Sequence, residues 1–308
     1  MTRSIFESIK CNLCGSGNSL VVYPSFRGSS VEIESDEFRS SGDEMLRDPL
    51  VKCNDCGFQY VTPRIHSELA LEEYTNAIDE TFVSQAKGRE LTFKRCLKEV
   101  ESAWKEKPGS VLDVGTANGS FLKVAKDGGW VVEGCEPNKW MCKWCWDNYG
   151  IEINQGTVFD GNYDNEKFDV VTLWDVLEHT ANAMATLKEC ARVLRPGGLV
   201  VVNYPDIGSW IARLMGRKWV FLLSVHYFYF TKKTIRHAFK ESGFDIVRVK
   251  PHFQSLEMDY VIERATPYIG GLGNTLRKIS NGIGLGKTQI PYWVGQTLVI
   301  GKKRGEDS

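Results

Sequence analysis

The 308-residue chain lacks several features, and each absence narrows its reading. No run of about 18 consecutive apolar residues occurs, so no segment reads as a membrane-spanning helix. The first residues, MTRSIFESIKCNLCG, lack the long apolar core of a secretion signal, which points to the cytoplasm. Neither sign of charge dominates: 38 Lys plus Arg stand against 39 Asp plus Glu, so no global field favours nucleic acid or an anionic membrane. No internal repeat is visible. Histidine is scarce, with five in the chain.

Cysteine is present in an odd number, nine, in a chain too long to need disulfide staples. Metal ligands plus buried thiols are the better reading. CNLCG at Cys11–Gly15 and CNDCG at Cys53–Gly57 are near-copies. A Cys-x-x-Cys turn brings two thiolates to adjacent corners of a tetrahedral Zn²⁺ site, and two such turns supply all four. Cys11, Cys14, Cys53 and Cys56 would close the shell, which argues for a structural metal. The 38 residues between Cys14 and Cys53 exceed the gap of common ribbons, so the polar stretch Ser29–Asp48 must loop out, as a mobile loop or a polar hairpin. A third Cys-x-x-Cys, Cys142 with Cys145, lies in a predicted helix without a matching pair and reads as packing, as do Trp140, Trp144 and Trp146.

Apolar residues at 42% provide ample core, and the pattern along the chain is that of an α/β protein. Residues 66–107 read as helix, with one apolar stripe of Leu69, Leu71, Tyr74 and Ile78 and another of Leu91, Phe93, Cys96, Leu97 and Val100. Strands are predicted at Val111–Val114, Val131–Glu136, Ile151–Asn154, Phe168–Trp174, Leu199–Tyr204, Phe244–Val249 and Thr297–Gly301. Helices are predicted at Ser120–Lys126, Lys139–Tyr149, Asn182–Leu194 and Lys232–Glu241. Such alternation implies a parallel sheet with helices on both faces. Gly270–Lys287, rich in glycine and basic residues, reads as a surface loop with a short helix.

VLDVGTANGSF, Val111–Phe121, is a strand that breaks into glycines and becomes a helix. In open α/β sheets ligands bind beyond the carboxyl ends of the strands. The next strand ends in Glu136, 23 residues after Asp113, where a carboxylate can accept hydrogen bonds from both ribose hydroxyls of an adenosine. The glycine spacing is not that of a dinucleotide fingerprint, and Asp113 at the mouth would repel a pyrophosphate. It suits the ammonium of an amino-acid tail, so the pattern fits S-adenosylmethionine and disfavours a nicotinamide oxidoreductase.

Four blocks in order, VLDVGTANGSF, VVEGCEPN, FDVVTLWDVLEHT and VLRPGGLVVVNYPD, resemble the S-adenosylmethionine-dependent methyltransferases with a Rossmann-like domain. The branch that carries an N-terminal zinc ribbon is the most similar, and it shares a histidine-aromatic segment like HYFYFT. The resemblance covers roughly Val111–Val249. It departs at Ala117 and Asn118, where relatives commonly carry Gly and a small residue.

The resemblance implies a seven-stranded Rossmann-like sheet whose last strand is antiparallel, with helices on both faces and a small N-terminal zinc-binding domain. The expected organisation is a zinc-ribbon-like domain over 1–65, a helical lid or linker over 66–107, and a methyltransferase domain over 108–308 with an acceptor-side insertion near 205–230. Asp113, Gly115, Thr116, Ala117 and Gly119 would line the methionine and ribose side of the donor, and Glu136 would hold the ribose hydroxyls. Pro137 and Asn138 would flank the adenine, with Thr157, Val158 and Phe159 on its other side. Trp174 and Asp175 would lie beside the methyl group.

Methyl transfer from a sulfonium needs a positioned acceptor, and a hydroxyl acceptor gains from a base. Two histidines are candidates by position: His226 in SVHYFYFT and His179 in WDVLEHT. For His226 the structural alternative is a buried ring orienting Tyr227 and Tyr229. His66, His237 and His252 read as surface or structural. The aromatic segment Trp210–Phe230 either stacks on a ligand or packs as core. By analogy with the branch, the acceptor is a small molecule, a hydroxyl of a sugar, nucleotide sugar or surface glycan precursor. A quinone or phenol is the alternative. A nucleic-acid-binding ribbon on an RNA methyltransferase is disfavoured because no basic ribbon is present, and a non-catalytic binding module by the intact glycine turn.

Overall fold

A computed structural model describes residues 5–27, 39–42 and 44–305. Much of the expected loop or hairpin at Ser29–Asp48 falls outside the described residues.

The N-terminal unit holds β1 (Phe6–Glu7), β2 (Ser19–Tyr23), β3 (Leu50–Cys53), β4 (Gln59–Val61) and β5 (Arg64–Ile65). The helices α1 (Ser67–Asn76), α2 (Glu80–Ser84) and α3 (Ala86–Trp104) follow. Then come β6 (Ser110–Val114), α4 (Ser120–Asp127), β7 (Val131–Glu136), α5 (Lys139–Tyr149), β8 (Asn154–Gln155), β9 (Phe168–Trp174), α6 (Ala183–Val193) and β10 (Leu194–Pro205). The remainder is α7 (Trp210–Met215), β11 (Phe228–Tyr229), α8 (Lys232–Glu241), β12 (Phe244–Pro251), β13 (Gln254–Glu257), α9 (Met258–Ile269), α10 (Gly271–Gly282), β14 (Gln289–Tyr292) and β15 (Gln296–Lys303).

Seven strands form the central sheet in the order β12-β15-β10-β9-β6-β7-β8. Neighbours from β10 through β8 run parallel, while β15 is antiparallel to both β10 and β12. The expected seven-stranded sheet with an antiparallel last strand is therefore present. Strand periodicity sorts its side chains between two cores. Val111, Val170 and Val201 join α3 and α4 on one face, and Leu112, Val171 and Val200 join α6 and α8 on the other. Both faces are buried, which is why these strands read as continuous apolar runs. Fully burying each Val or Leu contributes roughly 1.5–3 kcal/mol.

Chain order reverses between β6 and β9, so the crevice beyond their carboxyl ends is the place for a ligand. Gly115 and Asp175 immediately follow these two ends.

The N-terminal unit does not fold back on itself alone. Its sheet runs β11-β4-β3-β2, and the edge strand β11 comes from the insertion after β10. Tyr60 and Gln59 pair with Phe228 and Tyr229. Phe58 packs against Phe228 and Phe230, with ring centroids 5.8 and 4.9 Å away. Arg64, 3% exposed, pairs with Glu7 at 2.9 Å, donates to the Ala181 carbonyl and lies 4.3 Å from the Tyr227 ring centroid. A buried guanidinium needs such partners, and here they tie the unit to the main domain.

Several expectations change. Of the stripe Leu69, Leu71, Tyr74 and Ile78, the three aliphatics are exposed, and Ala70 is the buried residue of α1. This helix shows its apolar side chains to solvent and meets the rest of the protein through Tyr74. In the second stripe Leu91 is exposed, while Cys96, Leu97 and Val100 are core. Strand β10 begins at Leu194, ahead of Leu199, because the Arg-Pro-Gly-Gly stretch forms an irregularity within the β9 pairing. The short helix expected within Gly270–Lys287 is the twelve-residue α10, and it forms a helical hairpin with α9, which was not expected. This hairpin and the β13–β14 ribbon form a second excursion, between β12 and β15, that sequence periodicity did not reveal. It docks on α3 at Gly88, where a Cβ would come within 2.5 Å of Gln289 Oε1 and 2.7 Å of the Ser255 carbonyl.

Candidate active site

The turn after β6 is left-handed at three positions: Gly115 (φ 65°), Ala117 (φ 46°) and Gly119 (φ 74°). A Cβ at Gly115 would meet Val176 at 2.7 Å, and one at Gly119 would meet the Cys145 sulfur at 2.2 Å. The bareness of Gly119 thus serves the packing of α5 on the turn rather than approach to a ligand. Cys145 is fully buried there, as expected of a packing residue. Ala117 has no glycine freedom, so its conformation carries strain of about 1 kcal/mol. A glycine at this point would avoid it.

Asp113 and Glu136 are each 1% exposed. Asp113 Oδ1 accepts the Thr172 hydroxyl at 2.6 Å, and burial pushes its carboxyl up to about 7. Glu136 accepts the backbone N–H of Ala117 through Oε2 and that of Asn138 through Oε1, each at 2.8 Å. Burial also raises its pKa, opposed by these two donors. Beyond these two donors its oxygens keep lone pairs that the Tyr74 phenol and ribose hydroxyls can share. Two buried polar atoms of the turn, Thr116 Oγ1 and Asn118 Nδ2, have no partner among the described residues. Orphaned polar groups beside two buried carboxylates fit a polar ligand such as S-adenosylmethionine.

The end of α1 closes over this corner. Asn138 caps α5 through Met141 N–H and donates from Nδ2 to the carbonyls of Tyr74 (2.6 Å) and Ala77 (2.9 Å). The Tyr74 phenol interacts with Glu136. Pro137 is half-buried beside Asn138. In the loop after β8, Thr157 bonds Asp160, Val158 points into the core at 2% exposure, and Phe159 is exposed at 52%.

At the end of β9, Trp174 stacks among Phe121, Phe93 and His252, with centroids 5.0, 5.4 and 6.1 Å away. Asp175 follows with φ 53°, a strained left-handed backbone for a residue with a side chain. Asn203 Nδ2 donates to its Oδ1 (2.6 Å) and Gln254 Nε2 to its Oδ2 (2.9 Å). Burial pushes Asp175 up to about 6, with the nearby Arg89 opposing the rise. Arg89 stacks 3.5 Å from the Phe82 ring centroid, and its Nε has no partner among the described residues. Arg89, Asn203 and Gln254 escaped the sequence reading. They come from three distant segments, and only the sheet order and the second excursion bring them to Asp175.

His179 and His226 meet edge-to-face, with centroids 4.6 Å apart. Their Nδ1 atoms sit 3.0 Å from the Val225 carbonyl and 2.9 Å from the Phe221 carbonyl. His226 is buried and packs edge-on against Tyr229, the orienting arrangement set out as its alternative reading, while His179 reaches the surface. Of the aromatic segment, Trp219 and Tyr227–Phe230 are core, whereas Trp210 is 65% exposed. His66 and His237 lie outward beside Glu7 and Glu241. His252 is buried against Trp174, closer to the cleft than its sequence context suggested.

The four knuckle cysteines converge. Cys11 and Cys56 sulfurs are 3.5 Å apart, and those of Cys14 and Cys53 3.6 Å. A tetrahedron with metal–sulfur bonds of about 2.3 Å has edges near 3.8 Å, so the set fits Zn²⁺. No other ligand atoms are needed to close that shell.

A family model described as a methyltransferase domain matches residues 88–249, more than half of the chain. The chain belongs to this family, the S-adenosylmethionine-dependent methyltransferases of Rossmann-like fold. Among curated proteins it is similar to the ubiquinone biosynthesis O-methyltransferase of Maricaulis maris, 31% identical over 150 residues, which are 44% of this chain and 59% of that protein. A second protein of that name, from Parvibaculum lavamentivorans, is 54% identical over 37 residues, 12% of this chain and 15% of that one. These first matches thus span less than two thirds of the relatives' own length. Among solved structures it is similar to a SAM-dependent methyltransferase from Archaeoglobus fulgidus at 16% identity and a TM-score of 0.51, covering 73% of this chain and 100% of that one. It is also similar to a chain of the Haloferax volcanii complex between the Trm112 methyltransferase activator and a methyltransferase, at 18% identity and a TM-score of 0.52, covering 74% and 96%. Both likenesses concern the fold. Among the described residues no helix is long and apolar enough to cross a membrane.

Proposed function

We propose that the protein is an S-adenosylmethionine-dependent O-methyltransferase whose acceptor is the hydroxyl of a phenol or quinol. What carries this reading is the likeness to curated ubiquinone biosynthesis O-methyltransferases, beside an aromatic cluster of Trp174, Phe93 and Phe121 packed behind Asp175 at the strand end. The names of the curated relatives favour a quinone-type acceptor over a sugar.

S-adenosylmethionine, when bound, supplies an electrophilic methyl group. In this reading Glu136 accepts the ribose hydroxyls, while Thr116 and Asn118 offer their free polar atoms to the rest of the donor. Tyr74, at the end of α1, shields this corner from water. Asp175 is fixed by Asn203 and Gln254 and orients the reacting end of the cleft. His179 and His226 stand on the acceptor side. The four knuckle cysteines hold a structural Zn²⁺ that fixes the sheet containing β11.

The test is methyl-labelled donor with a catechol, a demethylated quinol and a nucleotide sugar as acceptors. Label on the phenolic oxygen is expected. Label on the sugar alone would overturn the acceptor class while leaving methyl transfer intact.

A further inference from the structure

Glu178 is an anomaly. It lies in the short 3₁₀ turn Leu177–His179 after β9, 1% exposed, yet neither carboxylate oxygen has a hydrogen-bond partner among the described residues. Stripping a carboxylate of water without compensation costs several kcal/mol. Buried charges are paired or coordinate metals. Among the described residues no Lys or Arg pairs with Glu178, while His179 and His226 stand beside it. One ligand atom from each of these three residues lies within 4.8 Å of the other two.

The histidines are arranged as ligands are. Each Nδ1 faces a backbone carbonyl, of Val225 or Phe221. An Nδ1–H donated there fixes the tautomer and leaves the Nε2 lone pair free, the usual support behind metal-bound imidazoles. Two segments supply the set, one following β9 and one preceding β11, so the fold assembles it.

We propose that Glu178, His179 and His226 bind a divalent transition-metal ion, in a two-histidine, one-carboxylate site with positions left open for the acceptor. Nitrogen donors with one carboxylate suit Zn²⁺, Fe²⁺ or Co²⁺ rather than Mg²⁺. This deepens the function proposed above and rests on it for the role of the ion. Glu178 follows Asp175 by three residues and lies within electrostatic range of it, so the ion sits on the acceptor side of the donor cleft. The acceptor hydroxyl coordinates the ion and releases its proton to solvent past the exposed His179. The resulting phenolate oxygen forms a bond to the methyl carbon as the carbon–sulfur bond breaks, yielding the methyl ether and S-adenosylhomocysteine. In this role His226 is a ligand rather than the base expected of it from sequence.

Zinc-loaded full-length protein is titrated with Co²⁺, and metal content is measured after dialysis. The probe is read by its visible absorption, since cobalt at the cysteine site would add an intense thiolate band that a nitrogen and oxygen site lacks. The expected result is a second metal per chain, without a thiolate band, weakened at least about 100-fold in His179→Ala and in Glu178→Gln. His179 is at the surface, so its variant keeps the fold even where Glu178→Gln does not, and thermal melts confirm this. A single metal per chain, or a second whose affinity is unchanged in folded His179→Ala, overturns the site and leaves Glu178 as a neutral buried acid. The two readings fail separately. Phenol methylation with one metal per chain refutes this site alone, and cobalt at the site without phenol methylation refutes the acceptor class alone.

Discussion

Phe228 pairs with Tyr60 in antiparallel register, so a strand of the insertion after β10 completes the sheet that carries the second cysteine knuckle. His226 stands two residues before Phe228. The cysteine cluster and the proposed acceptor side are therefore tied through one sheet, which the described N-terminal strands do not complete without β11.

Removing one of the proposed zinc ligands should consequently reach the proposed acceptor side. Cys53→Ser is expected to lose the bound zinc, cost at least about 3 kcal/mol of stability, and abolish methyl transfer while leaving donor affinity within a few-fold. Metal analysis, thermal melts and donor titration check this. Full activity in a zinc-free variant would contradict the coupling.

Ala117 occupies a left-handed position in the donor turn at φ 46°. Ala117→Gly removes the Cβ strain at the cost of some unfolded-state entropy and is expected to raise stability by up to about 1 kcal/mol. Denaturant unfolding reads the change, and a destabilised variant would show that the alanine methyl packs usefully.

Asp113 sets a pH dependence whose sign follows from burial. Its carboxyl is held at about 7 against an ordinary 3.8. Between those values the folded protein keeps a proton that the unfolded chain has released. The contribution is complete below about 3.8 and is lost as pH rises through 7. Asp175, Glu136 and Glu178 are shifted the same way. His226 and His252, held below 6.5 by burial, act in the opposite sense and lose stability as pH falls. Asp113→Asn isolates one component, because an amide can still accept the Thr172 hydroxyl. Its melting temperature should fall less between pH 5 and pH 8 than that of the parent, and parallel curves would refute the shifted carboxyl.

Gly88 is where α3 meets the β13–β14 ribbon, with no room for a Cβ against Ser255 and Gln289. Gly88→Val should cost about 1–3 kcal/mol and displace Gln254, which bonds Asp175. An increase in acceptor KM larger than any change in donor affinity is the expected kinetic signature. Unchanged kinetics would separate this excursion from the acceptor side.

The central sheet was legible because its strands are buried on both faces and punctuated by Gly and Pro. The helix Lys139–Tyr149 was read to the residue, since Asn138 caps its start and Gly150 ends it in a left-handed turn. The glycine turn after β6 and the carboxylate of Glu136 beside it were legible because their spacing is local to one strand-helix-strand unit. Glu178 passed unremarked as a ligand because its significance depends on burial and on His226, 48 residues away. Arg89 and Gln254 were hidden for the same reason. The α9–α10 hairpin was missed because Pro267 and the glycines at 270, 271 and 273 read as helix breakers, while apolar residues such as Leu272, Leu276 and Ile279 are exposed and mark no core face.

The measurement that tests the central claim most directly is calorimetric titration with S-adenosylhomocysteine, for the protein and for Glu136→Ala. Saturable binding, weakened about 10- to 100-fold in the variant, is expected from losing a charged hydrogen-bond acceptor. Thermal melts of both proteins establish that each is folded under the titration conditions. Absence of binding by the folded parent protein would contradict the donor site and the methyltransferase activity with it.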